Sequence, residues 1–238
     1  MSDAHPGKTI RPLDANERRV LGTLIEKGKT TPDQYPLSLN ALVTGCNQKS
    51  NRDPVMSLDE EQVMRAVKGL RESGAMAEVF GSGKIPRYRH LAYEWLGVDK
   101  EELAILGELL LRGEQSEGDL RGRASRMDPI PDLETLRGHL DRLAERGLVV
   151  WLSPPGRGRM LTHGLLPAEK LEKVRSQLGL SGGAAADGER TGDDDGSPPV
   201  APVSPPSSTA GHDVETRLAA AEEAIAELRR RLDELTGP

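Results

Sequence analysis

The chain contains an internal repeat, and this repeat limits what the chain can fold into. Positions 59–90 match positions 132–163 at an offset of 73 without a gap. An earlier match, at an offset of 85, places Asp14 and Glu17 on Asp99 and Glu102. The pairs at the offset of 73 are Asp59–Asp132, Val63–Leu136, Val67–Leu140, Leu70–Leu143, Gly74–Gly147, Gly83–Gly156 and His90–His163. A constant register over this length predicts two copies of one structural unit.

The first copy opens with two predicted helices. Asp14 and Glu17 have the spacing of a capping box, so we expect a helix over 14–27. Leu39, Leu42 and Cys46 recur at helical spacing and predict a short second helix. A polar turn follows and ends in a proline, which cannot continue a helix built before it.

A third helix is predicted after this turn. Ser57 and Glu60 are three residues apart, which is the capping-box arrangement, and we expect the helix to begin there. Val63, Val67 and Leu70 form one apolar stripe behind them, and a glycine ends the helix. The stripe predicts the face that packs inward.

Two strand-like runs, 75–80 and 85–91, follow the third helix and flank a glycine-rich tip. They predict a β-hairpin, in which Pro86 restricts the second strand to a sheet edge. Three helices followed by a hairpin is the order of a winged helix. The sequence therefore predicts a mainly α fold with small β-hairpins, built from tandem winged-helix (helix-turn-helix) domains at 13–98 and 99–179.

The ends of the chain differ from these domains. Residues 1–12 are polar and predict a flexible tail, and 180–212 are mostly Gly, Ala, Ser, Pro and Asp, which predicts a disordered linker. Residues 213–236 carry a heptad seam that predicts a coiled-coil helix and a weak homodimer. An amphipathic helix that folds back on the body is the alternative. The predicted self-association residues are Leu218, Ile225, Leu228, Leu232 and Leu235.

Charge and composition narrow the classes of function. Residues 1–179 have a net charge of +1 and residues 180–238 a net charge of −7, within a total of −6. The body is thus near neutral, whereas DNA-binding proteins usually carry a strongly basic face. The single cysteine excludes a disulfide framework within the chain, and no apolar run is long enough to span a membrane. We therefore expect a cytoplasmic protein without membrane contact.

Several motifs resemble the YceH family of bacterial proteins. They are Ile25-Glu26-Lys27, Thr30 to Asp33, Tyr35 to Leu42, Cys46 to Val55, Leu109 to Gly113 and Glu117 to Arg123. The resemblance covers about 13–166, and its most specific part is the block from Cys46 to Pro54. It implies a paired winged-helix fold. It leaves the function open, because the family has no established biochemical activity.

The candidate nucleic-acid-binding residues are polar and basic side chains of the first domain. Some lie on the outward face of the third helix, some in the turn before it and some in the hairpin, where wings often contact a backbone. They are Lys49, Arg52, Gln62, Arg65, Lys68, Lys84, Arg87 and Arg89. The alternatives are a solvated, capped helix, a turn that bonds its own backbone, and scattered surface arginines. The corresponding helix of the second domain is rich in acids and predicts a structural or protein-contact role.

Catalysis has little support in the sequence. The five histidines do not pair at metal-ligand spacing, and Cys46 lies on an apolar stripe. The glycines near Lys84 lie in a hairpin instead of before a helix, so they predict no phosphate-binding loop. We therefore expect no enzyme activity, no metal and no cofactor. Two functions stay open: a regulator-like protein that binds double-stranded DNA, and an adaptor that uses its winged helices to bind protein partners.

Overall fold

The computed structural model describes residues 10–80, 85–156 and 158–178. It is 54% helical with small antiparallel sheets, so the fold is mixed α/β. The described residues belong to one compact unit. The predicted linker 180–212, the predicted coiled-coil helix 213–236 and most of the predicted N-terminal tail lie outside the described residues.

Each repeat supplies three long or medium helices and a three-stranded sheet. The first repeat consists of α1 (Ala15–Thr30), β1 (Leu37–Ser38), α2 (Leu39–Cys46), α3 (Glu60–Glu72), β2 (Met76–Phe80) and β3 (Pro86–His90), and α4 (Ala92–Leu96) leads out of it. The second consists of α5 (Lys100–Arg112), β4 (Gln115–Ser116), α6 (Glu117–Ala124), α7 (Leu133–Glu145), β5 (Val149–Trp151) and β6 (Met160–His163), followed by α8 (Ala168–Gln177).

The predicted repeat is present in the structure at the level of helix caps. Asp14 caps α1 and Asp99 caps α5, each in a full capping box with the glutamate three residues later. One predicted cap is wrong. The helix α3 is capped by Asp59, whose carboxylate accepts from the Gln62 backbone N–H at 2.7 Å while its own N–H donates to the Gln62 side chain at 3.0 Å. Because Asp59 and Gln62 make both bonds of the box, Ser57 lies outside the helix.

The strands keep the same register in both repeats. Met76 pairs with His90 in the first sheet, and Val149 pairs with His163 in the second, which is the offset of 73 again. The strand orders are β1-β3-β2 and β4-β6-β5. The strand β3 is therefore central, and the prediction that it forms an edge is wrong. Pro86 is tolerated there because it is the first residue of β3, beyond the two residues that pair with β1.

The two repeats share one core, which is built where α1 packs on α5. The predicted inward residues Val63, Val67 and Leu70 are fully buried, as are Leu136 and Leu140 in the second repeat. In contrast, α8 contributes no fully buried residue. In the described part of the chain, no helix has the length and apolar character needed to cross a bilayer.

Candidate functional site

The outward face of α3 carries three of the candidate residues. Gln62 is half-buried and serves the capping box, in which its amide oxygen accepts from the Asp59 N–H. Arg65 is exposed and forms an ion pair with Glu61 one turn earlier. Lys68 is exposed and makes no ion pair with any described residue. The start of α3 also carries Glu60, so basic and acidic groups balance on this face.

The side chains of the turn from Asn47 to Pro54 form hydrogen bonds with other parts of the chain. The Asn47 side chain exchanges two hydrogen bonds with the Leu58 backbone, each 2.7 Å long. Asn51, whose φ is 58°, accepts from Arg112 and from Arg126, both at 2.9 Å. These two arginines belong to the second repeat, so the turn is a structural link between the repeats.

Arg52 is the buried centre of this turn. Its side chain has no exposed surface, and its guanidinium lies 2.6 Å from the Glu26 carboxylate. It also donates to the Gly45 carbonyl and to the Gln48 side chain. A group enclosed in this way is not placed to contact a nucleic acid, whereas Lys49, two residues before Asn51, is exposed.

The hairpin β2–β3 carries the remaining described candidates. Arg87 and Arg89 are exposed and alternate with the buried Tyr88, so both point to the face of the hairpin that faces away from α3. Arg87 donates to the Pro36 carbonyl at 2.8 Å. Lys84 lies outside the described residues, as do the five predicted self-association residues.

Sequence reasoning missed the exposed apolar residues of the same hairpin. Phe80 is 67% exposed and Ile85 is 70% exposed, and both lie at its distal end. Phe80 shares a face with Tyr88, whose hydroxyl contacts the Met64 sulfur of α3 at 3.6 Å. Met64 is itself partly exposed at 37%. We call Met64, Phe80 and Ile85 the apolar hairpin surface. The unusual exposure of a phenylalanine, the only one in the chain, could not be read from its neighbours in sequence.

In the second repeat, several arginine side chains contact other residues of the same repeat. Arg137 pairs with Glu117 at 2.8 Å, and Arg123 donates to Gln115 at 2.7 Å. Arg159 stacks on the Trp151 ring at 3.5 Å. The exposed positions of α7 include Glu134, Asp141 and Glu145. This surface is acidic and disfavours phosphate.

One cluster has the residue types of a metal site. Ligand atoms of Asp99, Glu102 and His139 lie within 4.8 Å of one another. The Arg142 guanidinium occupies the same neighbourhood, 3.0 Å from Glu102, 3.4 Å from Asp99 and 2.7 Å from His139 Nδ1. Since an arginine already supplies the positive charge, the cluster is an ion-pair network that joins α5 to α7.

Cys46 and His163 are buried and His90 is half-buried, and all three are held in their neutral forms. Burial raises the pKa of the Cys46 thiol to about 11, so the reactive thiolate is scarce at neutral pH. Burial, with Lys29 nearby, lowers the pKa of His90 to about 4. Burial also lowers the pKa of His163 to about 3. Cys46 and His163 therefore pack as buried residues of the interior.

The proteins to which this chain is similar in sequence are uncharacterised bacterial proteins. The chain belongs to the family described as "Protein of unknown function, DUF480", which matches residues 13–157. It is 55% identical over 171 residues to a UPF0502 protein of Rhodopirellula baltica, a match that covers 70% of this chain and 72% of the relative.

Two further relatives carry the same name. A UPF0502 protein of Geobacter sulfurreducens is 54% identical over 134 residues, which is 56% of this chain and 61% of that protein. One from Citrifermentans bemidjiense is 50% identical over 183 residues, or 75% of this chain and 84% of the relative. The match thus covers less than two thirds of the Geobacter protein. None of the three names states an activity, and the resemblance to the YceH family stays a prediction from the sequence.

Proposed function

We propose that the protein is a non-catalytic tandem winged-helix adaptor whose first repeat binds a protein segment at the apolar hairpin surface. The order of helices and strands in each repeat supports the winged-helix assignment. A fold of this kind serves both DNA-binding and protein-binding roles, so the function has to be argued from the surface.

The observation that carries the proposal is the exposure of Phe80 and Ile85 together at one end of the hairpin. Large apolar side chains that are exposed in a group mark binding surfaces, whereas isolated ones are ordinary. Phe80 is on the side of the hairpin that carries Tyr88, and Tyr88 contacts Met64 of α3. Glu60 and Glu61 lie on the N-terminal side of Met64 and are exposed. Because Arg65 pairs with Glu61, the carboxylate that stays available is that of Glu60, which suits a partner segment with apolar anchors and a flanking Lys or Arg.

Matched baits test the proposal. The wild-type chain, a Phe80→Ser/Ile85→Ser variant and an Arg87→Glu/Arg89→Glu variant are used to isolate partners from the source cells, and the binding of each isolated partner is then measured with purified components. We expect a partner that binds the wild type and the arginine variant alike and binds the serine variant at least about tenfold more weakly, as loss of hot-spot residues would give. Equal binding to the serine variant would remove the apolar hairpin surface from the account.

DNA binding is the second candidate, and one observation favours it. Arg87 and Arg89 lie side by side on the outer face of the hairpin, and Lys68 is exposed without an ion-pair partner in the described part of the chain. If these groups contact phosphate, the affinity for random duplex DNA should fall steeply with salt, and Arg87→Glu/Arg89→Glu should flatten that slope. Absence of measurable binding at about 50 mM salt would eliminate this candidate.

A further inference from the structure

A cavity of about 320 Å³ lies between the two repeats. It is lined by the start of α1, the loop at 53–56, the end of α5, the strand β6 and the helix α8. Small-molecule sites commonly begin at about 300 Å³ and combine apolar surface with a few polar groups. The residues that line the cavity therefore indicate which kind of ligand it is able to bind.

Two adjacent arginines line the cavity without a carboxylate partner. Arg19 is only 2% exposed, and its guanidinium donates to two carbonyls, Cys46 O at 3.0 Å and Pro54 O at 2.5 Å. Its Nε has no hydrogen-bond partner. Arg18 is half-buried and donates to Leu13 O at 2.6 Å. Neither forms an ion pair with any residue that the structure describes, and burial lowers the pKa of both.

A buried guanidinium without a counter-ion is costly. Carbonyl oxygens satisfy some of its N–H groups but do not neutralise its charge. Asp14 and Glu17 act on Arg18 and Asp53 acts on Arg19 from a distance, without an ion pair, so the positive charge next to the cavity is only partly offset. An anion in the cavity would compensate it.

The strand β6 adds hydrogen-bonding groups to the lining. Thr162 is fully buried, and its hydroxyl has no partner. His163 Nδ1 accepts from the Leu165 backbone N–H at 3.2 Å, so the neutral ring carries its proton on Nε2. A hydroxyl and an imidazole N–H are both able to donate to an anion.

The remaining lining sets the charge balance and the shape. Arg112 lies 3.0 Å from Glu108 and also bonds Asn51, so much of its charge is already compensated. Lys170 and the acids Asp53 and Glu114 are exposed residues of the lining. The apolar part of the lining is Met56, Leu109, Leu110, Leu166 and Val174.

We propose that this cavity binds a small organic anion, with its carboxylate at Arg18, Arg19 and Thr162 and a short apolar body against the leucines. This site is separate from the apolar hairpin surface. Its occupancy does not depend on whether the protein is an adaptor. A ligand here would stabilise the joint between the two repeats, because it binds only the folded chain.

Octanoate is a suitable probe, and octanamide is its matched control because it has the same body without the charge. We expect octanoate at about ten times its Kd to raise the Tm of the full chain by roughly 3–5 °C, and octanamide to leave it nearly unchanged. Inorganic phosphate, which has charge but no apolar body, should give a smaller shift than octanoate at equal concentration. Equal shifts with octanoate and octanamide, or an equal or larger shift with phosphate, would overturn the proposal.

Three variants of lining residues test whether octanoate binds in this cavity. Thr162→Val keeps the shape and removes only a hydroxyl that has no partner in the protein, so the fold should be retained. We expect it to weaken octanoate about tenfold by calorimetry, because a hydrogen bond to a charged group is lost. Arg18→Met should weaken binding by at least as much. Val174→Trp should fill the cavity and abolish binding. Wild-type affinity in all three variants would place the octanoate elsewhere and refute the site.

Discussion

Gly22 of α1 and Gly107 of α5 occupy equivalent positions in the two repeats, and each lies beneath a side chain of the opposite helix. A Cβ atom at Gly107 would lie 2.7 Å from Ile25 Cγ2, and one at Gly22 would lie 2.9 Å from Leu111 Cγ. Neither distance is sterically acceptable. The glycines therefore allow α1 and α5 to approach closely, and the contact between the repeats is nearly symmetric.

This contact predicts the effect of adding one methyl group. Gly107→Ala should destabilise the protein by about 1–3 kcal/mol, because overpacking outweighs the gain in helix propensity. The matched control is Gly118→Ala in α6, where a Cβ meets nothing within 4 Å. That change should be neutral or stabilising by up to about 1 kcal/mol. Urea unfolding measures both, and a stabilising Gly107→Ala would mean that the helices are further apart than the structure places them.

The ion pair of Arg52 with Glu26 is buried, and we expect its loss to lower the free energy of unfolding far more than the loss of an exposed pair. Arg52→Met removes the hydrogen-bonded partner of the Glu26 carboxylate, leaves only Lys27 at 3.9 Å and should cost about 3 kcal/mol. Arg65→Met removes an exposed pair with Glu61 and should change the free energy of unfolding by no more than about 0.5 kcal/mol. The same unfolding assay compares them. A small loss for Arg52→Met would show that the turn does not depend on this pair.

Some of these features can be predicted from the sequence and others cannot. The repeat offsets predict the caps at Asp14 and Asp99 and the inward stripe of α3, because caps and helical periodicity are local. The two-residue strands β1 and β4 are too short to show an alternating pattern. The burial of Arg52 and the exposure of Phe80 depend on what the fold brings beside them. The sequence therefore predicts a binding role for Arg52, which the fold buries, and gives no sign of the exposed Phe80.

The buried His163 predicts a pH dependence of stability. Its pKa is about 3 in the folded protein and about 6.5 when unfolded, so the unfolded chain binds the extra proton as pH falls below 6.5. Stability from this group is present above pH 6.5 and is lost toward pH 3, by roughly 1 kcal/mol per pH unit. His163→Asn keeps an acceptor for the Leu165 N–H and removes the titration. Its stability should fall less than that of the wild type between pH 7 and pH 5, and parallel curves would contradict the assignment.

The heptad seam of 213–236 predicts weak self-association. Three heptads are marginal for a stable coiled coil, so we expect a monomer–dimer equilibrium that depends on concentration. Analytical ultracentrifugation of the full chain and of a form that ends at Gly179 measures it. If the full chain and the shortened form are both monomeric across the micromolar range, a homodimeric seam is excluded and the folded-back helix is favoured.

Site-specific photo-crosslinking at position 80 tests the proposed partner surface most directly. A photoreactive residue replaces Phe80 in one protein and Glu134, on the acidic face of α7, in a matched control. The account predicts one discrete protein adduct at position 80, lost when Ile85→Ser is added, and none at position 134. Crosslinks at position 80 to nucleic acid, or the same protein adduct at both positions, would contradict it.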